Sequence, residues 1–110
     1  MMKALLQLRK AFGHSMKGLR ETFRNEMAFR IELTAAVIIL EPSALILSVS
    51  PIVRIMLVGS VFLVLIVELL NTGIETVVNR ISTEQHHLSG MAKDAGSASV
   101  FVASLNLVFV

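Results

Sequence analysis

From Ile55 to Val78 the chain runs for 24 residues that are almost entirely apolar. As a helix this stretch is about 36 Å long, enough to cross a hydrocarbon core of about 30 Å. Its polar residues are not scattered. Glu68, Asn71 and Glu75 stand at i, i+3 and i+7, with Asn79 continuing the row at i+11, so all four share one helical face. Glu68 and Glu75 are separated by about 10.5 Å along the axis. Two carboxyl groups and an amide on one stripe of an otherwise apolar span are costly unless they line a polar cavity, which makes a functional site the first inference. The competing reading is interhelical hydrogen bonding, with Glu68 and Asn71 as polar glue and Glu75 at the membrane interface.

The rest of the chain fits a membrane setting. Of its 110 residues, 55% are hydrophobic and 16% charged, with a mean hydropathy of +0.76, too apolar for a soluble domain of this length. No cysteine is present, which excludes a disulfide framework, a thiolate metal site and a cysteine nucleophile. One domain, residues 1–110, with at most three spans, fills the length.

The basic residues cluster at the N-terminus: Lys3, Arg9, Lys10, Lys17, Arg20, Arg24 and Arg30 precede any apolar span. Between them Leu5, Leu8, Phe12, Met16, Leu19 and Phe23 recur at helical spacing. This is the pattern of an amphipathic helix over residues 1–30 lying at a membrane surface. No uninterrupted apolar run precedes Arg30, so the arm does not read as a signal peptide. Nucleic-acid binding ranks below a membrane role, because the apolar face also needs a place to be buried.

Three spans follow, at residues 31–47, 52–78 and 89–110. The first carries Glu32 near its start and Glu41-Pro42 within it, an expensive carboxyl beside a kink-prone proline. Ser50 suits an N-cap and Pro51 the first helical position. Ser82-Thr83-Glu84-Gln85 has capping-box spacing in the next loop. Ala95, Ser99 and Ala103 form a small-residue stripe in the third span. From Ala95 to Val110 that span measures only about 24 Å. The basic arm places the N-terminus in the cytoplasm and the 79–89 loop on the same side.

Several side chains near that cytoplasmic side are chemically suggestive. Glu68, the deeper carboxyl, suits a general base, whereas Glu75 at headgroup depth suits a divalent cation. Lys93-Asp94 falls where the third helix enters the membrane, and the lysine there either meets a phosphate or snorkels beside Asp94. Asn25-Glu26 joins the arm to the first span at the depth of Glu75, so the two carboxylates can share a metal, although a solvated Glu26 is the plainer reading. The adjacent His86 and His87 have no third ligand at metal-site spacing and read as loop residues. Neither GxxxxGK[ST] nor GxGxxG occurs, so an ordinary phosphate-cradling loop is excluded.

In order, the segments Glu68-Leu-Leu-Asn-Thr-Gly-Ile-Glu75, Val78-Asn-Arg-Ile81 and Glu84-Gln-His-His-Leu-Ser-Gly-Met-Ala-Lys-Asp-Ala-Gly-Ser-Ala98 closely resemble the prokaryotic diacylglycerol kinase family. The resemblance extends to Gly13-His-Ser-Met-Lys-Gly-Leu-Arg20 and Asn25-Glu-Met-Ala-Phe-Arg30, covering nearly the whole chain.

The resemblance implies an all-α, multi-pass protein of the bacterial inner (cytoplasmic) membrane: a homotrimeric helical bundle with a surface helix and three transmembrane helices per subunit. It implies transfer of the γ-phosphoryl of ATP, with Mg²⁺, to diacylglycerol, giving phosphatidic acid. By the same resemblance Glu68 is the general base and Asn71 its neighbour. Glu26 and Glu75 are metal carboxylates. Ser15, Glu26, Glu75, His86, Lys93 and Asp94 contact the nucleotide, and Glu68 and Ser97 the lipid. Sites are shared between subunits. The chain departs from the family pattern at Asn79, where Asp is common, at Met91, where a basic residue is frequent, and at Gln7, where relatives often have Arg. Undecaprenol kinase, a related activity, is the alternative, and a non-enzymatic membrane scaffold or ion-binding subunit is a reading from a different class.

Overall fold

In the computed structural model, residues 1–40, 43, 50–81 and 86–110 are described, and those residues are helical with short connections. The order is α1 (Met2–Asn25), α2 (Met27–Ala35), a π-helical turn (Ala36–Leu40), α3 (Pro51–Ile81) and α4 (His87–Phe109). The Glu41-Pro42 pair, the end of the first span, and the Ser82 to Gln85 capping box lie outside the described residues.

The helix expected over residues 1–30 is divided. Glu26 takes an extended conformation, φ −109° and ψ 110°, and serves both as C-cap of α1 and N-cap of α2. Its N–H donates to the Thr22 carbonyl at 2.8 Å, and its own carbonyl accepts from the Arg30 N–H at 3.1 Å, so the break leaves neither backbone group of Glu26 unsatisfied. The change of direction carries Phe29 inward, where it is 1% exposed. Hydrophobic periodicity continues smoothly across this joint, and so does not reveal it.

At the start of α3, Ser50 Oγ accepts from the Val53 N–H at 3.3 Å, and the Ser50 carbonyl accepts from Arg54 N–H at 3.1 Å. Pro51 then occupies the first position of the helix, where no N–H is required. With 31 residues, α3 is the one helix among the described residues long and apolar enough to cross a membrane. Helix α4 begins at His87 rather than Ser89. His86 is its N-cap, its Nδ1 accepting from Leu88 N–H at 3.1 Å.

Helices α3 and α4 form an antiparallel hairpin. Ser60, Val64 and Glu68, stepping by four, are the buried residues of α3, while Gly96 and Ala103 are buried on α4. The small-residue stripe read from the sequence is thus rotated. Ala103 belongs to the contact, but Ala95 and Ser99 are exposed, and the Ser99 hydroxyl bonds to the Ala95 carbonyl of its own helix at 3.0 Å. Two polar contacts fix the register. Asn106 Nδ2 donates to Ser60 Oγ at 3.2 Å toward the Pro51 end of α3, and Gly96 stands against Asn71 toward its Ile81 end. Carrying that register inward puts Lys93 at the height of Ile74 and Glu75.

Only Phe29, Val64 and Ala103 form the buried apolar core of the described residues, while Phe62 and Phe101 remain 59% and 64% exposed. An apolar surface of this extent requires lipid or other protein around it.

Candidate active site

The row on α3 lies on the seam where α2 and α4 approach. Glu68 is 8% exposed, whereas Asn71 and Glu75 are half-buried one and two turns further along. Asn71 is the link within the row, because its Nδ2 donates to Glu75 Oε1 at 3.4 Å. Its Oδ1 is buried with no hydrogen-bond partner and faces Gly96 of α4.

Glu68 has a neighbour that the sequence reading passed over as a residue of the first span. The Glu32 side chain of α2 lies beside that of Glu68. One oxygen of Glu32, Oε2, is buried and has no hydrogen-bond partner. No periodicity signals this pairing, since it depends on how α2 packs against α3. A buried, paired carboxyl is a group able to exchange a proton with a hydroxyl brought beside it.

Glu32 also borders an apolar cavity of about 270 Å³, lined with it by Ala36 and Ile39, by Val64 and Leu65 of α3, and by Leu107 of α4, among others. Toward the Ile81 end of α3, Glu26 lines a separate cleft of about 590 Å³ between α1 and α3, together with Glu21, Asn25, Thr72 and Thr76. Glu26 and Glu75 therefore face different sides of α3: the first opens onto the cleft with Thr72 and Thr76, the second lies on the Asn71 seam. The Thr76 hydroxyl bonds to the Thr72 carbonyl at 2.7 Å.

The remaining sequence-derived candidates are more dispersed. Lys93 is half-buried on the α4 face that meets α3, one turn from Gly96, whereas Asp94 and Ser97 are exposed. Ser15 Oγ donates to the Ala11 carbonyl at 3.0 Å on the exposed arm, and His86 is engaged as the α4 cap. One chain thus brings together Glu32, Glu68, Asn71, Glu75 and the helix face bearing Lys93, but does not gather Ser15, His86, Asp94 and Ser97 around them. Asn79, Met91 and Gln7 are all exposed.

The donors fit a hard divalent cation. Among the described residues no group of three or more His, Cys, Asp or Glu side chains could hold a metal ion, but Mg²⁺ bound through phosphates needs only one or two carboxylates. Glu75, oriented by the Asn71 amide, and Glu26 at the polar cleft supply oxygen donors of that kind.

Residues 13–110 match the family described as Prokaryotic diacylglycerol kinase. Among curated relatives, the chain is 53% identical over 94 residues to the Diacylglycerol kinase of Escherichia coli K12, covering 86% of this chain and 76% of the relative. It is 51% identical over 90 residues to the Diacylglycerol kinase of Haemophilus influenzae Rd, covering 82% and 75%. The Undecaprenol kinase of Bacillus subtilis 168 is more distant, at 37% over 95 residues, covering 84% and 75%.

Proposed function

This chain belongs to the prokaryotic diacylglycerol kinase family, and from that membership we propose how its own residues perform the reaction at a membrane. The protein is a diacylglycerol kinase, a membrane enzyme that phosphorylates a lipid hydroxyl. The observation that carries the residue assignment is the seam of α3, where the buried Glu68 and the Asn71–Glu75 pair stand within two turns of one another.

Glu68 takes the proton of the diacylglycerol hydroxyl as that oxygen attacks the γ-phosphorus of ATP, the bond from that phosphorus to the β,γ-bridging oxygen breaks and ADP leaves, and the neighbouring Glu32 holds the Glu68 carboxyl in place. Phosphoryl transfer asks a protein mainly for positioning and charge neutralisation. Lys93, at the height of Glu75, supplies positive charge to the phosphates. Glu75 and Glu26, which face different sides of α3 within one chain, would hold Mg²⁺ only as contributions from neighbouring chains of the trimer, and the ion would supply neutralisation of phosphate charge. Asn71 orients Glu75. The apolar cavity bordering Glu32 receives hydrocarbon of the lipid, bringing the glycerol hydroxyl to the polar seam.

Asp94, His86 and Ser15 contact nucleotide, and Ser97 contacts lipid, in a homotrimer whose sites combine residues of neighbouring chains. Their dispersal in a single chain is consistent with that arrangement. Each subunit has a surface helix and three spans, with the N-terminus cytoplasmic, as the basic arm dictates. The protein lies in the bacterial inner membrane.

Side-by-side transfer of labelled phosphate from ATP to dioleoylglycerol and to undecaprenol in mixed micelles tests the lipid assignment. Preference for dioleoylglycerol is expected. Phosphorylation of undecaprenol alone contradicts it.

A further inference from the structure

Gly96 is buried on α4 at the point of contact with α3. A Cβ placed on it would collide with Asn71 Oδ1 and crowd Asn71 Cγ at 3.3 Å, with Ile74 Cδ1 at 3.8 Å behind. The Cα–H that such a Cβ would replace therefore points at Oδ1, the buried oxygen that has no hydrogen-bond partner. The same amide turns its Nδ2 toward Glu75 Oε1 at 3.4 Å. An amide is rigid, so whatever fixes Oδ1 also fixes the direction of Nδ2.

We propose that Gly96 is a positioning residue for the metal carboxylate: its missing side chain forms the recess that seats Asn71 with its Nδ2 on Glu75. This rests on the assignment of Glu75 to Mg²⁺ made above. The five other glycines, Gly13, Gly18, Gly59, Gly73 and Gly90, have nothing within 4 Å of an added Cβ, so the recess is local to Gly96. The colliding atom is the far end of a side chain and not backbone. An added methyl therefore displaces the Asn71 amide and breaks its bond to Glu75 while the helices keep their packing.

The test is Gly96→Ala in the full-length enzyme, with MgATP KM, lipid KM, Mg²⁺ requirement and thermal midpoint measured alongside Gly90→Ala, Glu75→Gln, Asn71→Ala and the Asn71→Ala/Gly96→Ala double variant. Expected are a rise of about tenfold in MgATP KM and Mg²⁺ requirement for Gly96→Ala, a lipid KM within twofold of wild type, and no change for Gly90→Ala. In the double variant the amide is gone and its volume vacated. It should fold as Asn71→Ala does and show the same MgATP KM, even where Gly96→Ala alone is too unstable to assay. A Gly96→Ala effect that multiplies with that of Asn71→Ala, or a double variant that still fails to fold beside a folded Asn71→Ala, overturns the proposal. If Glu75→Gln leaves the Mg²⁺ requirement unchanged, the metal assignment itself falls and this proposal with it. A raised requirement in Glu75→Gln with none in Gly96→Ala overturns the role of Gly96 alone.

Discussion

Glu32 of α2 stands beside Glu68 of α3, setting a second carboxyl against the most buried one of the polar row. Removing one partner of a buried polar pair leaves the other without compensation, which costs more than the pair itself contributes. Glu32→Ala should therefore lower kcat by about tenfold or more, an increase of about 1.4 kcal/mol in the barrier, with MgATP KM within twofold of wild type. Glu32→Gln, whose amide can still donate to Glu68, should retain more activity than Glu32→Ala. Steady-state kinetics of both variants check this, and a wild-type kcat in Glu32→Ala contradicts the pairing's role.

Glu75, the carboxylate proposed for Mg²⁺, stands further along the same seam. Glu75→Gln keeps the side-chain size and an oxygen facing Asn71 Nδ2, but removes the charge that favours a cation. MgATP binding should weaken by about tenfold or more, measured directly by titration of the purified enzyme. Unchanged affinity for MgATP contradicts the assignment.

The Asn106–Ser60 hydrogen bond, 3.2 Å, holds the open end of the α3–α4 hairpin, away from Glu75. Ser60 is about 12 Å along the helix from Glu68. Asn106→Leu should destabilise the protein by about 0.6 to 2 kcal/mol, the range for interhelical polar contacts in membranes, while leaving kcat and both KM values of the folded protein within twofold. Thermal unfolding in detergent, paired with kinetics, checks both halves of this statement.

The apolar cavity beside Glu32 has room for part of a lipid chain. Ala36 lines it, and Ala36→Phe places an aromatic ring into that space. The expected result is a lipid KM raised by roughly fivefold to tenfold, in line with the loss of a few buried methylene contacts, with MgATP KM unchanged. Equal changes in both constants contradict a lipid-specific role for the cavity.

Features governed by local chemistry were legible in the sequence. The apolar length of α3, the Ser50-Pro51 start and the shared face of Glu68, Asn71 and Glu75 all follow from helical periodicity and capping rules, and the structure shows each of them. Features set by tertiary packing were not. The extended Glu26 interrupts a continuous apolar pattern, and Glu32 becomes significant only because α2 leans on α3 at Glu68. Two small-residue faces of α4 compete in the sequence. Periodicity favours Ala95-Ser99-Ala103, but the hairpin uses Gly96 and Ala103, because only the glycine leaves room for Asn71. The candidate roles of Ser15, His86, Asp94 and Ser97 came from family resemblance, and the geometry of one chain does not bring them to the seam.

The central claim is that Glu68 is the base for phosphoryl transfer. The most direct measurement is ATP-dependent transfer of labelled phosphate to dioleoylglycerol in mixed micelles by wild type and Glu68→Gln, with MgATP affinity measured on the same preparations. The account predicts transfer by the wild type, loss of at least a hundredfold in kcat in the variant, and MgATP affinity within twofold. Turnover by Glu68→Gln near the wild-type rate contradicts it.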